Sequence, residues 1–363
     1  MNLRTPGPIP ISDDILEIMS SPMINHRGPE FAELLSRTTT KLKTIFATIE
    51  DMYIITGSGT AAMEAAVVNT MSPGDKILNL SVGAFGDRFG QIANLFGAEV
   101  TNIKFPSGTS VAPDKVREAL DFDPSIKSVL VTHNETSTGV TNDIESIAKV
   151  VKKEFGKLLL VDGISSVASI PMLTDTWGCD VVASASQKGW MLPPGLAFIS
   201  FSKSAWEANK KAKMPRFYFD LNQYQSYLEK GQPPYTPAIS VMFALDMALQ
   251  KLLDEGMDQV FERHANIADL TRKGIKKLGL SLFPDESVAS DTVTAVEVPS
   301  GIDGAILTKI MREEYNVILA GGQAELTGKI FRIGHMGYCL PSEIEDVLNS
   351  LAKTLNKLGF DPE

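Results

Sequence analysis

Cysteine is scarce in this chain: two residues, Cys179 and Cys339, in 363, too few for a disulfide framework. The N-terminus lacks a charged start followed by an apolar stretch, so neither secretion nor a membrane span is indicated, and a reducing cytosol is the expected setting. Basic residues are outnumbered, 34 against 44 acidic, for a net charge of -10. No dense Lys/Arg cluster is interleaved with aromatics, which argues against nucleic acid as a partner. Internal repeats and low-complexity tracts are missing too, and no metal site is expected. What remains is a chain long enough for a large core, and an N-terminal arm over 1–20, a large domain over 21–250 and a smaller C-terminal domain over 251–363 is the natural division.

The stretch from Leu158 to Gly195 carries the most chemistry. Leu158-Leu159-Leu160-Val161 reads as a buried parallel strand ending at Asp162, and Val181 to Ser186 as a second one ending at Gln187-Lys188. Both would place their polar residue at the carboxyl edge, where open α/β sheets bind ligands. After Lys188, Gly189 to Gly195 is turn chemistry that fixes the lysine on a loop. One acid and one amine on the same rim suit pyridoxal phosphate: the carboxylate keeps the pyridine nitrogen protonated, and the amine carries the cofactor and then moves a proton. Taken alone, a strand-end Asp and a solvated Lys are ordinary features.

The rest of the chain supplies context. Arg4-Thr5-Pro6-Gly7-Pro8-Ile9-Pro10 is too rich in proline for helix or central strand and should lie as an extended arm. Helices are predicted from Asp13 to Met19, capped by Ser12, and from about Glu30 to Phe46. Tyr53-Ile54-Ile55 is a short strand. Thr56-Gly57-Ser58-Gly59-Thr60 then opens directly into a helix, a turn whose free N–H groups and hydroxyls favour a phosphate. It is neither the dinucleotide fingerprint nor a P-loop. Ile77 to Leu80 ends in Gly83-Ala84-Phe85-Gly86, where a ring between glycines can stack on a flat heterocycle or simply join the core. Alternation continues through 87–96, 98–104 and 113–120, which argues for βαβ units and a mostly parallel sheet. Ser128 to Thr132 ends in His133-Asn134-Glu135-Thr136-Ser137-Thr138-Gly139, either a polar ligand edge or a Ser/Asx-rich turn before a helix at 143–153. His133 reads more readily as a buried imidazole than as an acid–base group.

Beyond the lysine loop, Leu196 to Ser200 reads as a strand, Lys203 to Lys213 as an exposed basic helix, and Arg216 to Pro234 as a long loop. Helices over 239–253 and 257–278 form the joint to a small α+β domain with strands at 293–298, 317–319 and 330–333 and helices at 303–314 and 342–358. Arg332 stands out as a strand cation amid apolar residues. Burial requires a partner for it, either a structural acid or a substrate carboxylate held by a planar fork.

With these residues in order the chain resembles the class V aminotransferases of the pyridoxal-phosphate fold-type-I superfamily, most closely the alanine/serine–glyoxylate aminotransferase group. The likeness runs from Thr5-Pro6-Gly7-Pro8 to Arg332-Ile333-Gly334. It rests on Gly57-Ser58-Gly59-Thr60-Ala61-Ala62 with Glu64, Gly83-Ala84-Phe85-Gly86, His133 to Gly139, Val161-Asp162 and Ser186-Gln187-Lys188. The resemblance implies a large α/β domain with a mostly parallel seven-stranded sheet plus a small C-terminal α+β domain, and pyridoxal phosphate as cofactor. It makes Lys188 the Schiff-base lysine, Asp162 the partner of the pyridine nitrogen and Phe85 the stacking ring. Ser58, Gly59, Thr60 and Gln187 would hold the phosphate, Thr136 would lie near the phenolic oxygen, and Ile164 would line the cofactor. Arg332, with Gly7, would bind the substrate carboxylate. Tyr235-Thr236-Pro237 would reach the phosphate site of a neighbouring subunit, which makes a homodimer part of the mechanism.

The activity so implied is ping-pong transamination from alanine or serine to glyoxylate or pyruvate. A cysteine desulfurase or related lyase shares the scaffold but needs a thiol on the loop before the arginine, and Ala320 to Thr327 contains none. A catalytically silent scaffold would have no need to keep Asp162, Gln187 and Lys188 together. His26, Arg27 and Tyr235 are open candidates for contacting a second polar group, so aspartate, phosphoserine, ureidoglycine and pyridoxamine are also conceivable donors.

Overall fold

A computed structural model describes residues 1–360. In chain order the elements are β1 Asn2–Arg4, α1 Asp13–Met19, α2 Pro29–Ile45, β2 Asp51–Gly57, α3 Gly59–Thr70, β3 Lys76–Ser81, α4 Ala84–Leu95, β4 Glu99–Lys104, α5 Pro113–Phe122 and β5 Ser128–Thr132. A two-residue hairpin follows, β6 Asn134–Glu135 and β7 Val140–Thr141, then α6 Ile144–Ala148, β8 Leu158–Asp162, α7 Thr174–Trp177, β9 Val181–Ala185 and β10 Gly195–Phe201. Helices α8 Lys203–Asn209, α9 Leu221–Leu228, α10 Ile239–Glu255 and α11 Met257–Lys277 lead to β11 Val293–Glu297, α12 Gly304–Tyr315, β12 Val317–Gly321, β13 Ile330–Gly334 and α13 Pro341–Lys357.

The large sheet has seven strands in the order β2-β10-β9-β8-β5-β3-β4. Only β10 runs antiparallel to its neighbours, pairing that way with both β2 and β9. Its central strands are apolar because both faces are covered: all five residues of β5 and of β9 are buried. On one face Ala62, Ala65, Ala66 and Val67 of α3 let that helix pack close; on the other, Phe198, Val161 and Val182 meet α2 and α10 through Leu42 and Leu245. The chain leaves β3 for the edge strand β4 and returns to β5 on the opposite side of β3. The crevice between β3 and β5 is therefore the topological switch point at which such sheets bind ligands.

A second sheet, β1-β12-β13-β11, belongs to the C-terminal α+β part and packs its apolar side on α11, α12 and α13. Its edge strand β1, parallel to β12, comes from the N-terminus, a pairing that the proline content beyond Arg4 concealed. Buried Arg4 completes the join, its Nη1 donating to Cys339 Sγ at 2.8 Å and its Nη2 pairing with Glu343 at 2.6 Å. Thr5 to Pro10 then runs without regular structure toward the large sheet, as an extended arm should.

Three expectations need correction. Arg216 to Pro234 is not one long loop: Asp220 accepts a bond from Asn222 N–H and starts α9, whose Leu221 and Tyr224 are buried. The helix expected over 143–153 is α-helical only to Ala148 and continues as a π-helical turn, Lys149–Glu154. The basic helix after Lys203 ends at Asn209 instead of reaching Lys213.

Candidate active site

Four loops at the carboxyl ends of adjacent parallel strands meet at one place. Asp162 ends β8 and is 3 % exposed. Its Oδ1 accepts from Ile164 N–H at 2.9 Å and its Oδ2 from Thr132 Oγ1 at 3.3 Å. Burial raises its pKa to about 7; those two bonds and the charge of Lys188 pull it down, while the nearby charge of Glu135 pushes it up. Lys188 follows β9 on its fixed loop, and burial lowers its pKa to about 8 even though Asp162 lies close enough to oppose that shift. Its Nζ donates to the carbonyl of Pro6. The N-terminal arm thus closes one side of the lysine, and a Cβ on Gly7 would stand 2.6 Å from Nζ.

Phe85, in the first turn of α4 after β3, is half-buried, and the Arg88 guanidinium lies over its ring at 4.8 Å. Ser58 is the N-cap of α3 but makes no capping bond, so the start of that twelve-residue helix is not closed by its own cap. Gly59 lies against Ile164, whose Cδ1 would be 2.6 Å from any Cβ placed there. Buried Gln187 Oε1 has no hydrogen-bond partner. An aromatic ring with a phosphate fits these residues: an open helix N-terminus for the anion, small residues that let it approach, an unpartnered amide beside it, and an acid and an amine within mutual electrostatic reach.

Arg332 on β13 projects toward the same place from the small sheet. It is 4 % exposed, and Nε and Nη2 donate to Gly321 O at 3.0 and 2.7 Å while Nη1 donates to Thr136 O at 2.9 Å. Among the described residues it forms no salt bridge with a carboxylate; Glu135 acts on it only through its field, and burial depresses its pKa. Thr136 itself is buried.

Other candidates lie elsewhere. Tyr235 donates its hydroxyl to Phe217 O at 2.9 Å and stacks on Tyr218 at 4.8 Å, with Thr236 exposed beside it. The segment sits at the end of β2, where Ala238 N–H donates to Thr56 Oγ1 at 3.2 Å. Arg27 is engaged with Gln232 and Pro234, and half-buried His26 precedes it. His133 is buried edge-on against Trp177, and burial lowers its pKa to about 4, so it is a neutral packing group. Cys339 is buried against Arg4 and Cys179 is buried too, both with their thiol pKa raised by burial.

Two contacts had no role assigned to them from the sequence. One is the Pro6 carbonyl at Lys188. The other is Glu135, fully buried, with Oε2 accepting Phe85 and Gly86 N–H at 3.0 Å each. The glycine at the helix start, which leaves the cap to be supplied from another loop, is the only hint of it.

Comparison with known proteins agrees with this geometry. The model of the class-V aminotransferase family matches residues 17–337. The chain is 40% identical over 361 residues, 99% of itself and 94% of the relative, to a Synechococcus protein named soluble hydrogenase, small subunit. It is 36% identical to the serine–glyoxylate aminotransferase of Methylorubrum extorquens over 93% of itself and 86% of that protein. Among solved structures, the ureidoglycine–glyoxylate aminotransferase of Bacillus subtilis superposes with a TM-score of 0.96 at 29% identity, covering 100% of this chain and 94% of that one.

Proposed function

The chain belongs to the class V aminotransferases, pyridoxal-phosphate transaminases, and from that premise we propose that it moves the amino group of alanine or serine to glyoxylate, with pyruvate as the second acceptor, by ping-pong transamination. One observation carries the reading: an acid and an amine at the carboxyl edge of the large sheet and a guanidinium reaching them from the small sheet are buried, among the described residues, without salt-bridge partners that would explain them structurally. The names of two relatives share glyoxylate as acceptor and differ in donor, so the acceptor is the firmer half.

When bound, the cofactor supplies the electron sink that weakens the Cα–H bond of the amino acid. Asp162 would keep the ring nitrogen protonated, which would offset the burial of its own charge. Lys188 would hold the cofactor and, with its amine free, would take the proton from the substrate Cα. Its lowered pKa leaves a large neutral fraction near pH 8, as a base requires. Arg332 holds the substrate carboxylate with the fork whose remaining donors rest on Gly321 and Thr136 carbonyls. Gly7 leaves room for substrate and lysine together. Ser58, Gly59, Thr60 and Gln187 would hold the phosphate, and Phe85 and Ile164 would line the ring. The working unit is a cytoplasmic homodimer in which Tyr235 and Thr236 of each subunit complete the phosphate site of the other.

The test is a panel of donors (alanine, serine, aspartate, ureidoglycine, phosphoserine, pyridoxamine) against glyoxylate, pyruvate and 2-oxoglutarate with the purified, cofactor-loaded protein. Alanine or serine should bleach the visible cofactor band and glyoxylate restore it. Preference for another donor or for 2-oxoglutarate overturns the substrate assignment. Unaltered turnover in Lys188→Ala overturns the catalytic one.

A further inference from the structure

Helix α4 follows an N-cap that has no side chain, yet its first N–H groups are satisfied. Its N-cap is Gly83, and the cap comes from the loop after β5. Ala84 N–H donates to Ser137 Oγ at 2.9 Å, and Phe85 and Gly86 N–H donate to Glu135 Oε2 at 3.0 Å each. The other carboxylate oxygen accepts from Ser137 N–H at 3.0 Å and Ser137 Oγ–H at 2.6 Å. Among the described residues no cation bonds to this carboxylate, Arg332 and Lys188 reaching it only through their fields; four donors and a helix start hold it instead. Gly83 makes this possible, because a Cβ there would lie 2.6 Å from Glu135 Cγ.

The residue between Glu135 and Ser137 reaches the other way. Thr136 offers its carbonyl to Arg332 Nη1. Three consecutive residues therefore grip Phe85 on one side and the small-domain arginine on the other.

We propose that Glu135 is a positioning residue for the transamination: it fixes Phe85 at the start of α4 and, through the same loop, sets Arg332 in register with that ring. The proposal rests on the assignment of Phe85, Lys188 and Arg332 made above. Every neighbour of the carboxylate donates, so a glutamine cannot replace it. If the amide oxygen takes Phe85 and Gly86 N–H, the NH2 group faces Ser137 N–H, which has no acceptor to offer, and Ser137 Oγ, whose own hydrogen loses the oxygen it donates to. At least one backbone donor is orphaned, and the α4 start must shift.

Glu135→Gln in the full-length protein tests this through cofactor affinity, read by visible titration with pyridoxal phosphate, and through the induced circular dichroism of the bound cofactor. The expected result is about tenfold or more loss of affinity, the effect of losing a buried charge-assisted bond, with an altered dichroic band and a donor KM raised more than kcat is lowered. In a Phe85→Ala background the same exchange should add little further loss of affinity, because its route runs through that ring. Native affinity and dichroism in folded Glu135→Gln, or full additivity with Phe85→Ala, overturns the proposal. If Glu135→Gln does not fold, Ser137→Ala applies the same test, with about threefold expected for one weaker contact and an unchanged cofactor signal as the refuting outcome. A wild-type protein that takes up no pyridoxal phosphate sinks the Lys188 assignment itself, and this proposal with it.

Discussion

Replacing Asp162 by asparagine isolates the electrostatic cost of the site. In the cofactor-free protein its carboxyl titrates at about 7 against an ordinary 3.8, chiefly because it is buried. That difference corresponds to ~4 kcal/mol between protonation states. The sign follows from proton counts: between the unfolded and folded pKa values the folded chain holds the extra proton, so this group's contribution is fully present below about pH 4. It is lost as pH rises through 7. The asparagine side chain would keep an oxygen for Ile164 N–H and never ionise. Cofactor-free Asp162→Asn should therefore be more stable than wild type at pH 8.5, by up to ~4 kcal/mol in denaturant titration, with the gap shrinking to less than half of that at pH 5 and vanishing only below about pH 4. With pyridoxal phosphate bound the order should reverse, since only the aspartate gains from a protonated ring nitrogen, and turnover of the variant should fall roughly a hundredfold or more. A variant no more stable than wild type at high pH, or a gap that widens on acidification, would refute the account of Asp162.

Lys188 in the cofactor-free protein should capture pyridoxal phosphate at a rate that climbs about tenfold per pH unit and levels off near pH 8; a climb that continues to pH 10 contradicts the lowered pKa. Arg332→Lys keeps the charge but loses the planar fork, and should raise donor KM about 10- to 100-fold with a smaller effect on kcat, measured by steady-state kinetics. Gly7→Ala places a Cβ 2.6 Å from Lys188 Nζ at a backbone φ of 115°, and should cost about 1–3 kcal/mol of stability and most cofactor uptake. Unchanged melting and titration curves would show the arm to be looser than described.

Much of the fold could be read from periodicity alone. Short apolar runs such as Leu159 to Val161 and Val181 to Ala183, bounded by polar turns, read as strands covered on both faces, and their polar terminations put Asp162 and Lys188 on one rim. What stayed hidden depends on tertiary partners. Asp220 is an ordinary loop aspartate until its side chain caps α9. Asn2 to Arg4 pairs with residues more than three hundred positions away. Glu135 looks like one polar residue in a turn until β3 and β5 lie side by side. Arg332 is the instructive case, because sequence left a structural acid and a substrate carboxylate both open, and the structure surrounds it with carbonyls.

The three buried charges share one logic. An acid pushed toward neutrality, an amine pushed toward neutrality and an arginine that finds only carbonyls are each disfavoured by burial. In a site built for stability they would pair with one another, yet Asp162 accepts from Ile164 and Thr132, Lys188 donates to Pro6, and Arg332 donates to Gly321 and Thr136. Each bond goes to a neutral partner, which leaves the charge itself uncompensated and free to meet an ionic ligand. In the proposed roles, a protonated ring nitrogen would answer the acid, a covalent bond to the cofactor's aldehyde carbon would remove the amine's charge, and an α-carboxylate would answer the guanidinium. Ligand binding then recovers desolvation that folding has already spent, so cofactor and substrate should stabilise this protein by more than their contact area would suggest.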